Sequence, residues 1–203
     1  MGGIPYLEGL RTMTNPGAGP LQVYSSEPAL VKLEALFRAT SVTHSINQDG
    51  VDTAQGKPVV RWTPVVDSQV VSISPDVQAW AFPVDHIPGA MGWTVSASGV
   101  TVVFSGDTRF CPRVAEAAQG ADVLIHEVLS TDSDRDDTRS RGHATAGEAA
   151  RTAADANAGR LIITHLDSPY HLDQRPLVEE ARRFYDGPIA VANDLGQFTV
   201  SCP

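Results

Sequence analysis

Cysteine is nearly absent from this chain: Cys111 and Cys202 are the two copies in 203 residues. Thiols so far apart make no disulfide framework of the kind that staples small secreted domains. They read as free thiols of a reducing cytoplasm, with Cys111 packing rather than reacting. Basic residues are also scarce, 15 Lys and Arg against 24 Asp and Glu, for a net charge of −9. A general nucleic-acid or anionic-membrane surface needs a basic footprint, so this balance argues against both. No apolar run approaches the ~20 residues of a membrane helix, and no charged, apolar signal segment opens the chain. The expectation is a cytoplasmic protein with no membrane partner. The length supports one substantial core and is short for two full domains, so residues 1–203 read as a single domain.

Apolar periodicity divides the chain into two textures. Residues 3–13 read as a helix with Ile4, Leu7 and Leu10 on one face, followed by a Gly/Pro loop from Asn15 to Pro20. Leu21–Tyr24 is a short strand, and Glu27–Arg38 a helix turning Leu30, Leu33, Leu36 and Phe37 inward. Thr40 to Lys57 is polar and irregular. Strand-like segments follow at Val59–Trp62, Val70–Ile73, Val77–Phe82, Gly92–Ala97 and Val100–Phe104, a meander by their β-branched content and Gly or Pro breaks. After Asp107 helices (113–119, 146–157, 176–185) alternate with strands (Asp122–His126, Leu161–Thr164, Ile189–Ala192), and Gln197–Val200 reads as a last strand. A β-rich half followed by α/β alternation predicts sheets covered by helices on their outer faces, a four-layer αββα sandwich. Thr131 to Gly142, with four Asp and three Arg, reads as a solvated loop, either an ordinary surface loop or a mobile one at the mouth of a site.

Three segments place a good metal ligand directly after a buried-strand pattern: Val84-Asp85-His86, Phe104-Ser105-Gly106-Asp107-Thr108 and Ile163-Thr164-His165. A ligand at a strand end is held rigidly, as a metal site requires. Imidazole and carboxylate suit zinc and manganese alike, and a carboxylate can bridge two ions. In Ser-Gly-Asp-Thr, Gly106 permits a tight turn and Thr108 can hydrogen-bond back.

In these motifs and their order the chain resembles the metallo-β-lactamase superfamily, in the branch of ribonuclease Z and the arylsulfatase-like hydrolases. Ala121-Asp122-Val123-Leu124-Ile125-His126-Glu127 and Gly142-His143-Ala144-Thr145 add to the likeness. The resemblance implies His86, Asp107 and His165 as metal ligands, for one or two zinc ions or manganese. It implies His143 as proton donor, with Glu127 as its orienting partner. The superfamily's His-x-His-x-Asp-His cluster, the source of its other ligands, is absent from this sequence, and His44 in Val42-Thr43-His44-Ser45 has no second ligand at metal spacing. The fold is therefore expected to be N-terminally incomplete, starting just downstream of that cluster.

The implied activity is hydrolysis of an ester-type bond (phosphodiester, sulfate ester or carboxylic ester) by metal-bound hydroxide. The alternative is a non-catalytic, degenerate or split family member serving as an interaction or structural module. Loss of the first strands would bare a sheet edge, which predicts a homodimer. His86 and Asp107 are 21 positions apart, too close for the RNA-gripping arm of tRNA-processing relatives. With the acidic balance, this predicts a small-molecule ester and makes tRNA an unlikely substrate. His126 reads as structural, and His171 as a rim or loop residue. Thr145 and Glu148 form a helix-capping box, while Gly187-Pro188 and Asp194-Leu195-Gly196 are connectors.

Overall fold

A computed structural model of the chain describes residues 14–15, 19–40, 51–52, 57–58 and 60–200. Expectations for residues 3–13, His44 and Cys202 lie outside these. The chain divides into two compact units, Met1–Val65 and Val66–Pro203.

In the first unit β1 (Leu21–Ser25) pairs in parallel with β4 (Val60–Pro64), Leu21 opposite Val60. Parallel neighbours need a long crossover, and α1 (Glu27–Thr40) supplies its helix. Leu30 and Phe37 are the buried residues of its inner face, and Phe37 meets Trp62 edge-on at 5.7 Å. Within the stretch expected to be irregular, β2 (Val51–Asp52) and β3 (Lys57–Pro58) form a short antiparallel pair.

The second unit is a seven-stranded mixed sheet in the order β11-β10-β9-β8-β7-β6-β5. The expected meander is its antiparallel part: β5 (Val70–Ser74), β6 (Val77–Pro83), β7 (Met91–Ala97) and β8 (Val100–Phe104). The alternating half adds β9 (Val123–Glu127), β10 (Leu161–Thr164) and β11 (Ile189–Val191), each parallel to its neighbour. Gln197–Val200 forms no strand.

Helices α2 (Pro112–Ala117), α4 (Ala146–Asp155) and α5 (Arg175–Ala181) pack on the face carrying Val103, Leu124, Leu161 and Ile163. Ala146, Ala149, Ala150 and Ala153 are fully buried, and their small side chains let α4 lie close to the strands. The expected box caps α4: Thr145 accepts the Glu148 backbone N–H, and the Glu148 carboxylate accepts that of Thr145. Helix α5 ends short of residue 185, because the chain turns to bury Tyr185, whose hydroxyl donates to the Ala158 carbonyl.

Thr131–Gly142 departs from the loop reading. A 3₁₀ turn (Asp132–Asp134) and α3 (Arg135–Ser140) fill it. The Asp132 carboxylate collects Arg135, Arg151 and the Thr145 hydroxyl, which hold its carboxyl below the usual range against the cost of burial. The alternating charges that suggested a solvated loop are in part internal partners. Among the described residues no helix is long and apolar enough to cross a membrane.

His126 lies in β9 opposite Ile163, fully buried. Its Nδ1 donates to the Glu127 carbonyl at 2.6 Å, and Nε2 has no partner among the described residues. Burial pushes its pKa from 6.5 down to about 4, so the folded chain keeps it neutral while the unfolded chain protonates first. The stability this difference contributes is complete at neutral pH and is lost as pH falls from about 6.5 to about 4. Between pH 7.5 and 4.5 the native protein should lose roughly 2–3 kcal/mol that a His126→Leu variant retains. Urea unfolding of both proteins at the two pH values reads the difference, and identical pH dependence would refute it.

Candidate functional site

Strands β6 and β8 flank the antiparallel β7 and so run the same way, and β9 and β10 continue that direction. Their carboxyl ends therefore open at one end of the sheet, where open α/β sheets hold their ligands. His86 follows β6, Asp107 follows β8, Glu127 ends β9 and His165 follows β10. His143 arrives from the turn after α3, fixed by its backbone N–H to the Thr138 carbonyl at 3.0 Å.

Thr108, fully buried, ties these ends together. Its backbone N–H donates to Glu127 Oε1 at 2.8 Å, and its hydroxyl accepts the Asp85 N–H at 3.2 Å while donating to the Arg109 carbonyl at 2.8 Å. Gly106 takes a φ of +63°, and a Cβ there would stand 2.7 Å from the Met91 carbonyl oxygen. Glycine alone makes that turn without strain. Gly142, at φ +95°, has the same necessity, since a Cβ would stand 2.5 Å from His86 Nδ1.

The predicted residues converge. The His86 and His143 rings are 5.0 Å apart, and His143 and His165 stack at 4.9 Å. His165 Nε2 is 3.7 Å from Asp107 Oδ1. His86 Nδ1 lies 2.9 Å from the Gly142 carbonyl, which can only accept, so Nδ1 carries the proton and Nε2 is left with the lone pair a metal requires. His165 holds a φ of +62°, a region that side-chain-bearing residues occupy at a cost and that clusters at functional sites.

Glu127 accepts three hydrogen bonds, from Thr108 N–H, from His143 Nδ1 at 2.9 Å and from Ala144 N–H at 3.3 Å. Burial pushes its pKa up to about 8, against the pull of the two backbone donors. Burial also lowers His143, helped by His165 and His86. Glu127 and His143 thus behave as one unit that retains a proton near neutral pH, whichever atom carries it.

Ligand atoms of Glu127, His143 and His165 lie within 4.8 Å of one another, a tighter group than the expected His86, Asp107 and His165. The Glu127–His143 approach is already a hydrogen bond, and Glu127 Oε1 also receives an N–H, so that closeness measures a proton contact rather than a metal cage. Asp107 and His165 stand at the open side, each with over two-fifths of its side chain exposed. Sequence reasoning missed Gly142, whose carbonyl sets the His86 tautomer; a glycine directly before His143 was the available signal. It also missed Arg109 and Arg141, which stand beside the site, Arg109 pairing with Asp85 at 3.1 Å and Arg141 with Asp167 at 3.0 Å.

Residues 6–166 match the family described as beta-lactamase superfamily domain. A ribonuclease Z of Myxococcus xanthus is 45% identical over 105 residues, 52% of this chain and 34% of that protein. The match thus spans about a third of that relative's own length. The metallo-beta-lactamase fold protein YhfI from Bacillus subtilis superposes with a TM-score of 0.72 at 20% identity, over 94% of this chain and 68% of that one. The short form of human tRNase Z superposes at 0.62 and 20% identity, over 97% and 74%.

The similarity to ribonuclease Z overturns the exclusion of tRNA and the expectation of a small-molecule ester. Two physical inferences failed. Net charge averages over the surface and does not speak for the rim, where Arg109 and Arg141 stand. A gripping arm is one device for holding RNA, and a short His86–Asp107 connection removes only that device. With residues 6–166 matched, most of the chain, it belongs to the beta-lactamase superfamily domain family, in the branch that includes ribonuclease Z.

Proposed function

We propose that this chain is a metal-dependent hydrolase that cleaves a phosphodiester in RNA, with tRNA as its substrate class, and that both units belong to one domain. Supporting the single domain, the family match runs from residue 6 to residue 166 and so through both units. The observation that carries the activity is the meeting of two imidazoles and a carboxylate beside the buried Glu127–His143 pair, at the carboxyl ends of like-directed strands. The two distant cysteines and the lack of a membrane-crossing helix among the described residues accord with a cytoplasmic setting.

His86, Asp107 and His165 are the residues we assign to hold the ion. The set fits: His86 presents a lone pair at Nε2, and Asp107 offers an anion beside His165. Zinc and manganese both suit this chemistry. When bound, the ion supplies Lewis acidity, polarising a phosphoryl oxygen and acidifying water. The chain supplies the proton. Glu127 holds His143 by Nδ1 and turns Nε2, on the far side of the ring, toward the departing oxygen. Thr108 and Ala144 fix the carboxylate so that the imidazole does not rotate away. Arg141, beside His143, disfavours a second positive charge there and favours a phosphate.

Two outcomes test this reading. Elemental analysis and calorimetric titration of the chain with zinc should show binding that weakens about tenfold or more in Asp107→Ala and in His165→Ala. Absence of metal together with absence of cleavage would leave only an interaction module. His143→Ala should lower kcat by about 10²–10⁴-fold on a tRNA precursor or on bis(p-nitrophenyl) phosphate, with bound metal unchanged. Loss of metal in that variant would make His143 a ligand instead of a proton donor.

A further inference from the structure

A cleft of about 390 Å³ opens beside His165, on the side formed by the loop after β10 and the chain leaving β11. Nothing in the proposed proton and metal chemistry uses it. Its polar wall is built from two amides: Gln174 Nε2 donates to Asn193 Oδ1 at 2.8 Å. Counting groups, that bond leaves Gln174 with a carbonyl acceptor and one N–H, and Asn193, whose Nδ2 also donates to the Val191 carbonyl at 3.5 Å, with one amide hydrogen to give. His171 donates from Nε2 to the Leu166 carbonyl at 3.1 Å, so its Nδ1 is an acceptor. Leu166 and the His171 ring supply less polar surface, and Asp194 completes the rim.

The chemistry of this lining selects its occupant. Among the described residues its lining has no lysine or arginine and one carboxylate, so a second phosphate gains no partner from them. It offers donors and acceptors side by side, the pattern that reads the edge of an unstacked base. Its volume is at the small end of ligand pockets and suits one nucleoside. It shares His165 with the candidate metal centre, so a group seated in it lies next to the reacting phosphate. On the RNA-hydrolase reading, we propose that this cleft is a nucleoside subsite, with Gln174 and Asn193 hydrogen-bonding the base of a nucleotide flanking the scissile phosphate.

The test uses the full 203-residue chain, ¹⁵N-labelled, titrated with adenosine 5′-monophosphate and uridine 5′-monophosphate against ribose 5-phosphate. A nucleotide should move the side-chain amide signals of Gln174 and Asn193, and the sugar phosphate should not. Gln174→Leu and Asn193→Leu should each weaken that binding by about fivefold, the effect of losing one neutral hydrogen bond. In turnover, Gln174→Leu should raise KM for the p-nitrophenyl ester of thymidine 5′-monophosphate by a similar factor, and by more than it raises KM for bis(p-nitrophenyl) phosphate. The subsite is overturned if neither nucleotide moves the amide signals, or if ribose 5-phosphate moves them as far. Failure of the hydrolase reading is separate: it shows as nucleotide binding without turnover of either ester, whereas turnover without a nucleotide response removes the subsite alone.

Discussion

One buried carboxylate holds the site together. Glu127 closes β9 and receives donors from the turn after β8 and from the segment that brings in His143. A carboxyl so enclosed is costly unless its oxygens are bonded, and removing one partner leaves the rest unsatisfied. Thr108 therefore cannot shift without disturbing Glu127, nor Glu127 without His143. The rim residues Asp85 and Arg109 join the same chain of contacts through Thr108 and the Arg109 N–H to the Asp85 carbonyl at 2.8 Å. The geometry of the imidazoles follows from satisfying hydrogen bonds on a buried acid. Any metal then arrives at a site whose walls are already fixed.

That rigidity begins in the sheet. The antiparallel meander returns β8 to the direction of β6, and the parallel additions keep it, so chain direction alone delivers four ends to one edge. Side chains at these ends leave the pleat and are free to turn toward one another. Glycine appears where backbone must pass close, at Gly106 against Met91 and at Gly142 against His86. His165 is the exception, a bulky residue in the left-handed region. A strained residue persists where its surroundings over-determine it.

Much of this was legible in the residues. The apolar and β-branched runs marked β6 to β10, most plainly β9 and β10, which are buried almost throughout. His86, Asp107 and His165 stood out by position, each at the end of such a run, and the box of Thr145 and Glu148 fixed the start of α4. What could not be read was non-local. Arg135 and Asp132 look like solvated charges in sequence, and the partners that hold Asp132, Arg151 of α4 and Thr145, lie 19 and 13 positions away. The role of Gly142 depends on His86, 56 positions away. Substrate class was read wrongly because composition averages over a surface while recognition acts on one patch.

For the proposed RNA substrate, an acidic chain needs its few cations where they can change partner. Arg141 pairs with Asp167 at 3.0 Å and Arg109 with Asp85 at 3.1 Å, with all four side chains substantially exposed. Exposed pairs of this kind contribute about 0–1 kcal/mol, so exchanging the carboxylate for a phosphate oxygen costs little. Arg139 differs, because its partner Glu148 is buried and, without it, would keep only the longer Arg135 contact at 3.7 Å as an ion pair. Arg109 and Arg141 are thus the pair able to meet a polyanion, while Arg139 is turned to Glu148. On the proposed reading, two exchangeable arginines give modest electrostatic capture, and the placement of a strand must come largely from the metal centre and from contacts to bases.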